Sequence, residues 1–240
     1  YQLTAEGKIF FDDALVAREA LSRWRLETLV HATGGSLLNR LEKGEPLGAL
    51  STDSRKIRKG DIFLALKGER FDGHAFVNKV MEAGAGSLVL DQIPDEIPPV
   101  PVVLVKDTQG ALGDLAAHRR RCMQEISSPA VAAITGSCGK TTVKEMCAAI
   151  FAEQWPDTKD AAKGRVLKTE GNFNNLIGLP LSLLPITPRH RGVILEMGMN
   201  VPGEIARLTE IADPDIACII NVHGAHLQGL GDIEGVASAK

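Results

Sequence analysis

One stretch restricts this chain more than any other: Ile134-Thr135-Gly136-Ser137-Cys138-Gly139-Lys140-Thr141-Thr142, caught between an apolar run ending in Ala132-Ala133-Ile134 and a helical pattern starting at Val143. The order reads as strand, glycine loop, helix. Glycines let backbone N–H groups turn towards an anion without Cβ interference, a helix N-terminus adds a positive dipole end, and the lysine supplies a mobile cation. The usual form of such a loop has a glycine five residues before the Gly-Lys pair, and Ile134 stands there, so the match is to a shortened Thr-Gly-x-x-Gly-Lys-Thr. A plain glycine turn between a strand and a helix is the bland alternative. It does not account for Lys140-Thr141 at the helix start, where a hydroxyl after the lysine is what a magnesium ion on the β and γ phosphates requires. The expected ligand is a nucleoside triphosphate, with Gly136, Ser137, Cys138, Gly139, Lys140, Thr141 and Thr142 around it.

The bulk properties are those of a globular chain: 240 residues, 44% apolar and 24% charged, enough for two modest domains. A net charge of −3 argues against a general nucleic-acid binder and leaves room for a local basic pocket that takes small anions. The four cysteines, Cys122, Cys138, Cys147 and Cys218, form no C-x-x-C pair and suggest neither a zinc site nor a disulfide framework. The longest apolar runs, 102–105 and 216–220, are far short of a membrane span, and no signal pattern opens the chain. These features predict a cytoplasmic chain with no membrane partner.

Residues 1–21 carry no motif and are assigned no role. From Ser22, the recurrence of Trp24, Leu26, Leu29 and Val30 before Gly34-Gly35 predicts a short amphipathic helix. Residues 47–51 and 61–66 read as short strands, with a turn at Arg58-Lys59-Gly60-Asp61. A helix is expected over 75–84 and a strand over 87–90. Four prolines in 92–101 rule out a central strand or helix interior there. Beyond them come an extended segment at 102–105 and a helix at 109–123, which opens a second domain. The expected boundary lies near Lys106, giving domains 22–106 and 107–240.

In the second domain a helix at 143–153 is followed by a polar segment at 155–165, an apolar run at 178–184, and strands at 192–195 and 216–220. Strands alternating with helices imply a mainly parallel α/β sheet covered on both faces, whose ligands gather at the carboxyl ends of strands. The glycine loop, Glu196 and the loop from Asn221 to His226 all sit at such ends. Glu196 is either a solvated or capping carboxylate or one that faces a metal beside the phosphates. His226, a lone histidine in a loop after a strand, is by pattern alone more readily read as a hydrogen-bonded surface residue than as a ligand.

Several ordered motifs resemble the ATP-dependent Mur ligases of peptidoglycan synthesis over residues 47–240: Ser51-Thr52-Asp53-Ser54-Arg55 with Gly60-Asp61-Ile62-Phe63, Asp72-Gly73-His74, the glycine loop, Gly171-Asn172-Phe173-Asn174-Asn175 with Ile177-Gly178-Leu179-Pro180, Glu196-Met197-Gly198 with Gly203-Glu204-Ile205, and Ala225-His226. The Glu-Met-Gly run separates the chain from members that add diaminopimelate or lysine, which look like Glu-Val-Ser-Ser-His there. The resemblance implies a small N-terminal α/β domain that binds the UDP end of the substrate, followed by a central ATP-binding domain. It implies that Thr52, Asp53, Ser54, Arg55, Asp72, Gly73 and His74 contact substrate, although Asp53 and Ser54 also suit a simple turn cap. Lys140 would contact the β and γ phosphates, Thr141 and Glu196 one Mg2+, and His226 a second. Asn172 and Asn175 would line the nucleotide cleft, unless the Asn-rich turn only satisfies its own backbone. Lys240 matches a lysine that some members carbamylate to make an extra metal-binding carboxylate.

The implied reaction joins D-alanyl-D-alanine to UDP-N-acetylmuramoyl-tripeptide with ATP and Mg2+, through an acyl phosphate, in a monomer. Two alternatives stay open: a ligase of the same superfamily with another amino acid or a folate acceptor, and a nucleotide-sugar-binding module without turnover. The resemblance also implies a third domain after Lys240, so that residues 1–240 alone are expected to bind substrate without completing ligation.

Overall fold

The computed structural model describes residues 23–39, 47–68, 71–157, 164–224 and 232–240. They divide into two compact units, residues 23–115 and 116–240. The expectations for residues 1–21 and for His226 lie outside the described residues.

In the first unit, helix α1 (Leu26–Thr33) ends at Gly34, whose φ of 62° supplies the left-handed turn expected from the Gly-Gly stop. Strands β1 (Ser36–Leu37), β2 (Leu50–Ser51), β3 (Ile62–Leu64), β6 (Ser87–Leu90) and β7 (Val102–Leu104) form one sheet in the order β1-β7-β6-β3-β2. Every pairing in it is parallel except that of β1 with β7. Between β3 and β6, β4 (Lys67–Gly68) pairs with β5 (Phe71–Asp72), and a 3-10 turn (Gly73–Phe76) leads into α2 (Val77–Glu82). The helix expected from residue 75 therefore begins as a tighter coil. Phe63, Leu88, Leu90 and Val102 pack with Val80 into the core of this unit. Asp61 closes the turn before β3, its two carboxylate oxygens accepting from the Ala49 and Arg58 amides at 2.9 Å each.

Helix α3 (Thr108–Ile126) runs through the junction of the two units. The second unit contains β8 (Ala130–Thr135), α4 (Lys140–Gln154), β9 (Val166–Lys168), α5 (Gly178–Leu183), β10 (Gly192–Glu196), α6 (Glu204–Ala212), β11 (Ile216–Ile219) and α7 (Ile233–Ala239). Its sheet has the order β11-β8-β10-β9 with every pairing parallel. Side chains along a strand alternate between faces, yet Val193, Ile194 and Leu195 of β10 are all fully buried, so the centre of the sheet is covered on both sides as the alternating pattern predicts. On one side Ile134 and Ile194 meet Ala148 of α4. Gly192 lets that helix approach: a Cβ there would lie 2.4 Å from the Phe151 ring, which itself meets Trp155 edge-on at 5.3 Å.

The buried Arg120 of α3 ties the far end of the sheet together. Its guanidinium donates to the Ala212 and Asp213 carbonyls at 3.1 and 3.0 Å, meeting the negative end of α6. Asp215 in turn accepts the Val131 amide at 2.7 Å, fixing the start of β11 against β8. No described helix is long and apolar enough to cross a membrane.

Candidate active site

Parallel pairing sets the geometry of the site. Glu196 of β10 lies opposite Ile134 of β8, and Ile219 of β11 opposite Thr135, so three strand ends arrive side by side where the glycine loop begins. The loop spans 136–139, and α4 starts at Lys140. Gly139 has a φ of 80°, a region an L side chain enters only with strain, and no side chain caps α4. The first-turn amides of α4 thus face outward at the positive end of a helix that runs to Gln154, an arrangement suited to phosphate. The Lys140 ammonium arches over the loop and donates to the Gly136 carbonyl at 2.8 Å. Thr142 is exposed on the first turn of the helix.

A residue that the sequence reading did not single out holds this loop in shape. Asn221, just beyond β11, accepts the Ser137 and Cys138 amides on Oδ1 at 3.0 and 3.1 Å and donates from Nδ2 to the Cys138 carbonyl at 3.0 Å. Beside it the Ser137 hydroxyl donates to the His223 carbonyl at 3.0 Å and accepts the His223 amide at 2.9 Å. Its position is a signal in the sequence, since Asn221 opens the loop that follows a strand of the parallel sheet.

Glu196 is 2% exposed. Its Oε2 accepts from the Thr141 hydroxyl at 2.9 Å and its Oε1 from Asn174 Nδ2 at 2.7 Å. Both donors are neutral, and no cation pairs with Glu196 among the described residues. A buried carboxylate without a compensating charge is costly unless something positive completes it, and a hydroxyl oxygen beside a carboxylate is a hard donor set. The residues therefore fit a divalent cation of the Mg2+ kind, to be held by Thr141 and Glu196, and the reading of Glu196 as a merely solvated residue does not fit its burial.

Within the Asn-rich turn, Asn174 is the member that reaches Glu196. Asn175 Oδ1 instead accepts the Ile177 and Gly178 amides at 3.1 and 2.8 Å, capping the start of α5 as the bland reading of such a turn allows. Asn172 is exposed, and its carbonyl accepts the Asn174 amide at 2.7 Å. Lys240 lies within reach of the Lys140 charge. Burial, followed by the positive charge of Lys140, pushes its amine below the ordinary lysine range. Both effects favour the neutral amine.

In the first unit, Asp53 accepts the Arg55 amide at 3.0 Å and grips the Arg55 guanidinium through two contacts of 2.9 Å. The hydrogen bonds from the Arg55 side chain and then its backbone hold the Asp53 carboxyl well below the usual carboxylate range. Thr52 and Ser54 flank this self-held turn and are half-buried. Asp72 caps the 3-10 turn, accepting the His74 amide at 2.9 Å and facing His74 Nδ1 at 2.7 Å, while His74 Nε2 faces Asp91 at 3.1 Å. Gly73 is buried with no room for a Cβ, which would lie 2.8 Å from the Leu66 carbonyl oxygen. The Asp-Gly-His motif thus has structural work within its own unit.

Comparison with known proteins agrees with this arrangement. The Mur ligase middle domain matches residues 134–240, and the Mur ligase family catalytic domain matches residues 47–120. The UDP-N-acetylmuramoyl-tripeptide--D-alanyl-D-alanine ligase of Haemophilus influenzae is 44% identical over 191 residues, which is 80% of this chain and 40% of that protein. The ligase of the same name from Bacillus subtilis is 40% identical over 216 residues, 90% of this chain and 44% of that protein. Among solved structures, MurF from Acinetobacter baumannii superposes with a TM-score of 0.81 at 37% identity over 91% of this chain and 45% of that one. The Thermotoga maritima MurF ligase in complex with ADP gives 0.68 at 33% identity over 80% of this chain and 41% of that one. The chain spans less than half the length of the relatives it matches. With both domain models matched in order along the sequence, and with the nucleotide loop, its neighbouring carboxylate and the parallel sheet all in place, the chain belongs to the Mur ligase family.

Proposed function

We propose that the protein is an ATP-dependent amide ligase that adds D-alanyl-D-alanine to UDP-N-acetylmuramoyl-tripeptide, working as a cytoplasmic monomer. The observation that carries this reading is the convergence of Lys140, Thr141 and the buried Glu196, with which no cation pairs among the described residues, at adjoining strand ends. Residues 107–240 bind ATP, with Gly136 to Thr142 around the phosphates. Residues 22–106 hold the UDP end through the 52–55 turn and the 72–74 segment. Bound Mg2+ would neutralise charge on the phosphate oxygens, one ion being held by Thr141 and Glu196 and a second by His226. The tripeptide carboxylate attacks the γ-phosphorus, and the bond to ADP breaks as the acyl phosphate forms. The free amine of D-alanyl-D-alanine then attacks the acyl carbon, phosphate leaves, and the amine gives up its proton. No side-chain nucleophile is needed. Lys140 stabilises the transferring oxygens, and Lys240, whose amine is pushed below the ordinary lysine range by burial and by the charge of Lys140, is the residue that carbamylation would modify.

The test has two parts. Calorimetry with Mg-ATP and with UDP-N-acetylmuramoyl-tripeptide should show that each binds separately. Mass spectrometry of the full-length protein, third domain included, supplied with both and D-alanyl-D-alanine should show the pentapeptide product with stoichiometric phosphate. Binding without product, or product with another amino acid in preference, would overturn the proposal.

A further inference from the structure

We propose that Lys144 is a positioning residue for Glu196, acting through Thr169; this rests on the reading of Glu196 as the carboxylate of the metal site. Lys144 is 1% exposed, one turn of α4 beyond Lys140 and Thr141. Its ammonium donates to the Thr169 carbonyl at 2.8 Å and pairs with Glu145 at 3.1 Å, and Glu145 also pairs with Lys168. A buried ammonium is expensive to keep, so what it grips matters.

Thr169 stands where the β9–β10 ladder runs out. The last paired residues are Lys168 and Ile194, two positions short of Glu196. The Thr169 amide carries the pairing one step further, donating to the Ile194 carbonyl at 3.0 Å. Its hydroxyl then takes the place of the next carbonyl and accepts the Glu196 amide at 3.0 Å. The chain can now turn away, and its freed carbonyl points to α4, where Lys144 receives it. The same turn delivers Asn174, whose carbonyl accepts the Gly198 amide at 2.7 Å and whose side chain holds Glu196 Oε1.

Lys144 therefore ties the helix that carries Thr141 to the turn that carries Asn174, and these are the two donors on either side of the Glu196 carboxylate. An apolar side chain of the same length would fill the space and leave the Thr169 carbonyl without this donor. The carboxyl group of Glu196 would lose its fixed aim.

The first test uses protein free of nucleotide and metal. In Lys144→Met the amides of Glu196 and Gly198 should exchange with solvent about tenfold faster, while those of Val193 to Leu195 in the same strand keep their protection. Thr169→Val, which removes the hydroxyl acceptor, should speed the same amides. Because the two residues form one strut, the double variant should add nothing beyond the larger single effect. In nucleotide-binding titrations, both variants should raise the magnesium midpoint about tenfold and leave metal-free ATP affinity unchanged. If Lys144→Met does not fold, Lys144→Gln is read in the same way. Uniform loss of protection across β10 with an unmoved magnesium midpoint, or fully additive effects, would show that Lys144 only packs and would overturn the proposal. Glu196→Gln serves as the control for the underlying reading: if it leaves the magnesium midpoint unmoved the metal site itself is wrong, whereas a shift there without one in Lys144→Met defeats the strut alone.

Discussion

Asn221→Ala is the sharpest test of how the glycine loop is held. The substitution removes the side-chain hydrogen bonds to the Ser137 amide, the Cys138 amide, the Cys138 carbonyl and the Cys138 sulfur, leaving the Ser137 amide its bond to the Asn221 main-chain carbonyl at 3.2 Å. A typical intramolecular hydrogen bond contributes about 0.5–1.5 kcal/mol net, and a half-exposed loop belongs near the lower end, so the loss in loop order is about 2 kcal/mol. That order must then be restored on binding, and since 1.4 kcal/mol is tenfold in affinity, Mg-ATP should bind roughly 30-fold more weakly. The sheet does not depend on the loop, so the melting temperature should fall little. Asn221→Asp separates geometry from charge. It keeps the acceptor for both amides but sets a carboxylate beside the phosphates, so its loss of affinity should be partly relieved as salt rises from about 50 to 500 mM, whereas that of Asn221→Ala should not. Calorimetry at the two salt concentrations reads both effects. ATP affinity in Asn221→Ala within about threefold of the parent would refute the idea that Asn221 preorganises the loop.

Three further outcomes follow from the same geometry. Lys140→Ala should weaken ATP binding about 10- to 100-fold, as expected for lost hydrogen bonds to charged oxygens, and abolish turnover of the full-length protein, while folding stability changes by less than about 0.5 kcal/mol, as read from calorimetry and thermal melts. Glu196→Gln should make the metal-free protein slightly more stable, because an uncompensated buried charge becomes neutral, and at the same time raise the magnesium requirement; a melt and a magnesium titration report the two, and a drop in metal-free stability would count against the argument. The Asp53 and Asp72 carboxyls both sit below their ordinary range, held by hydrogen bonds from Arg55 and from the His74 backbone and ring. Their stabilising contribution is therefore full above the unfolded carboxylate range and lost as pH falls through the lower folded values, so the acid limb of a stability-against-pH curve should flatten in Asp53→Asn.

Local pattern made some of this architecture legible. The strand at 87–90 has the expected bounds because a short apolar run lies between turn signals, whereas helix α3, legible from its apolar spacing, runs over Thr108–Ile126 and so extends past the expected end at 123. Strand β9 was not recognised. Its three residues follow a polar segment and owe their extended state to β10, a partner some 25 positions away. Helix α5 was read only as an apolar run, since a helix buried nearly all round has no polar face to reveal its period. For α6 a signal existed: Glu204, in its first turn, reaches back to the Asn200 and Val201 amides, as first-turn acids often do at a helix start.

The site divides along the same line. Lys140 and Thr141 could be brought forward as candidates because their chemistry and their spacing belong to one loop, and Glu196 because a strand end in a parallel sheet is a predictable place. The aim of each group is a different kind of fact. Asn172, Asn174 and Asn175 are chemically identical, and only the fold decides that Asn174 meets Glu196 while Asn175 caps α5. Lys144 reads in the sequence as one more helix lysine, yet it is almost wholly buried and bonded to a carbonyl 25 residues along the chain. Reacting groups can be named from residue type and local order. The residues that orient them act through long-range hydrogen bonds to backbone, and such bonds leave little trace in composition or periodicity.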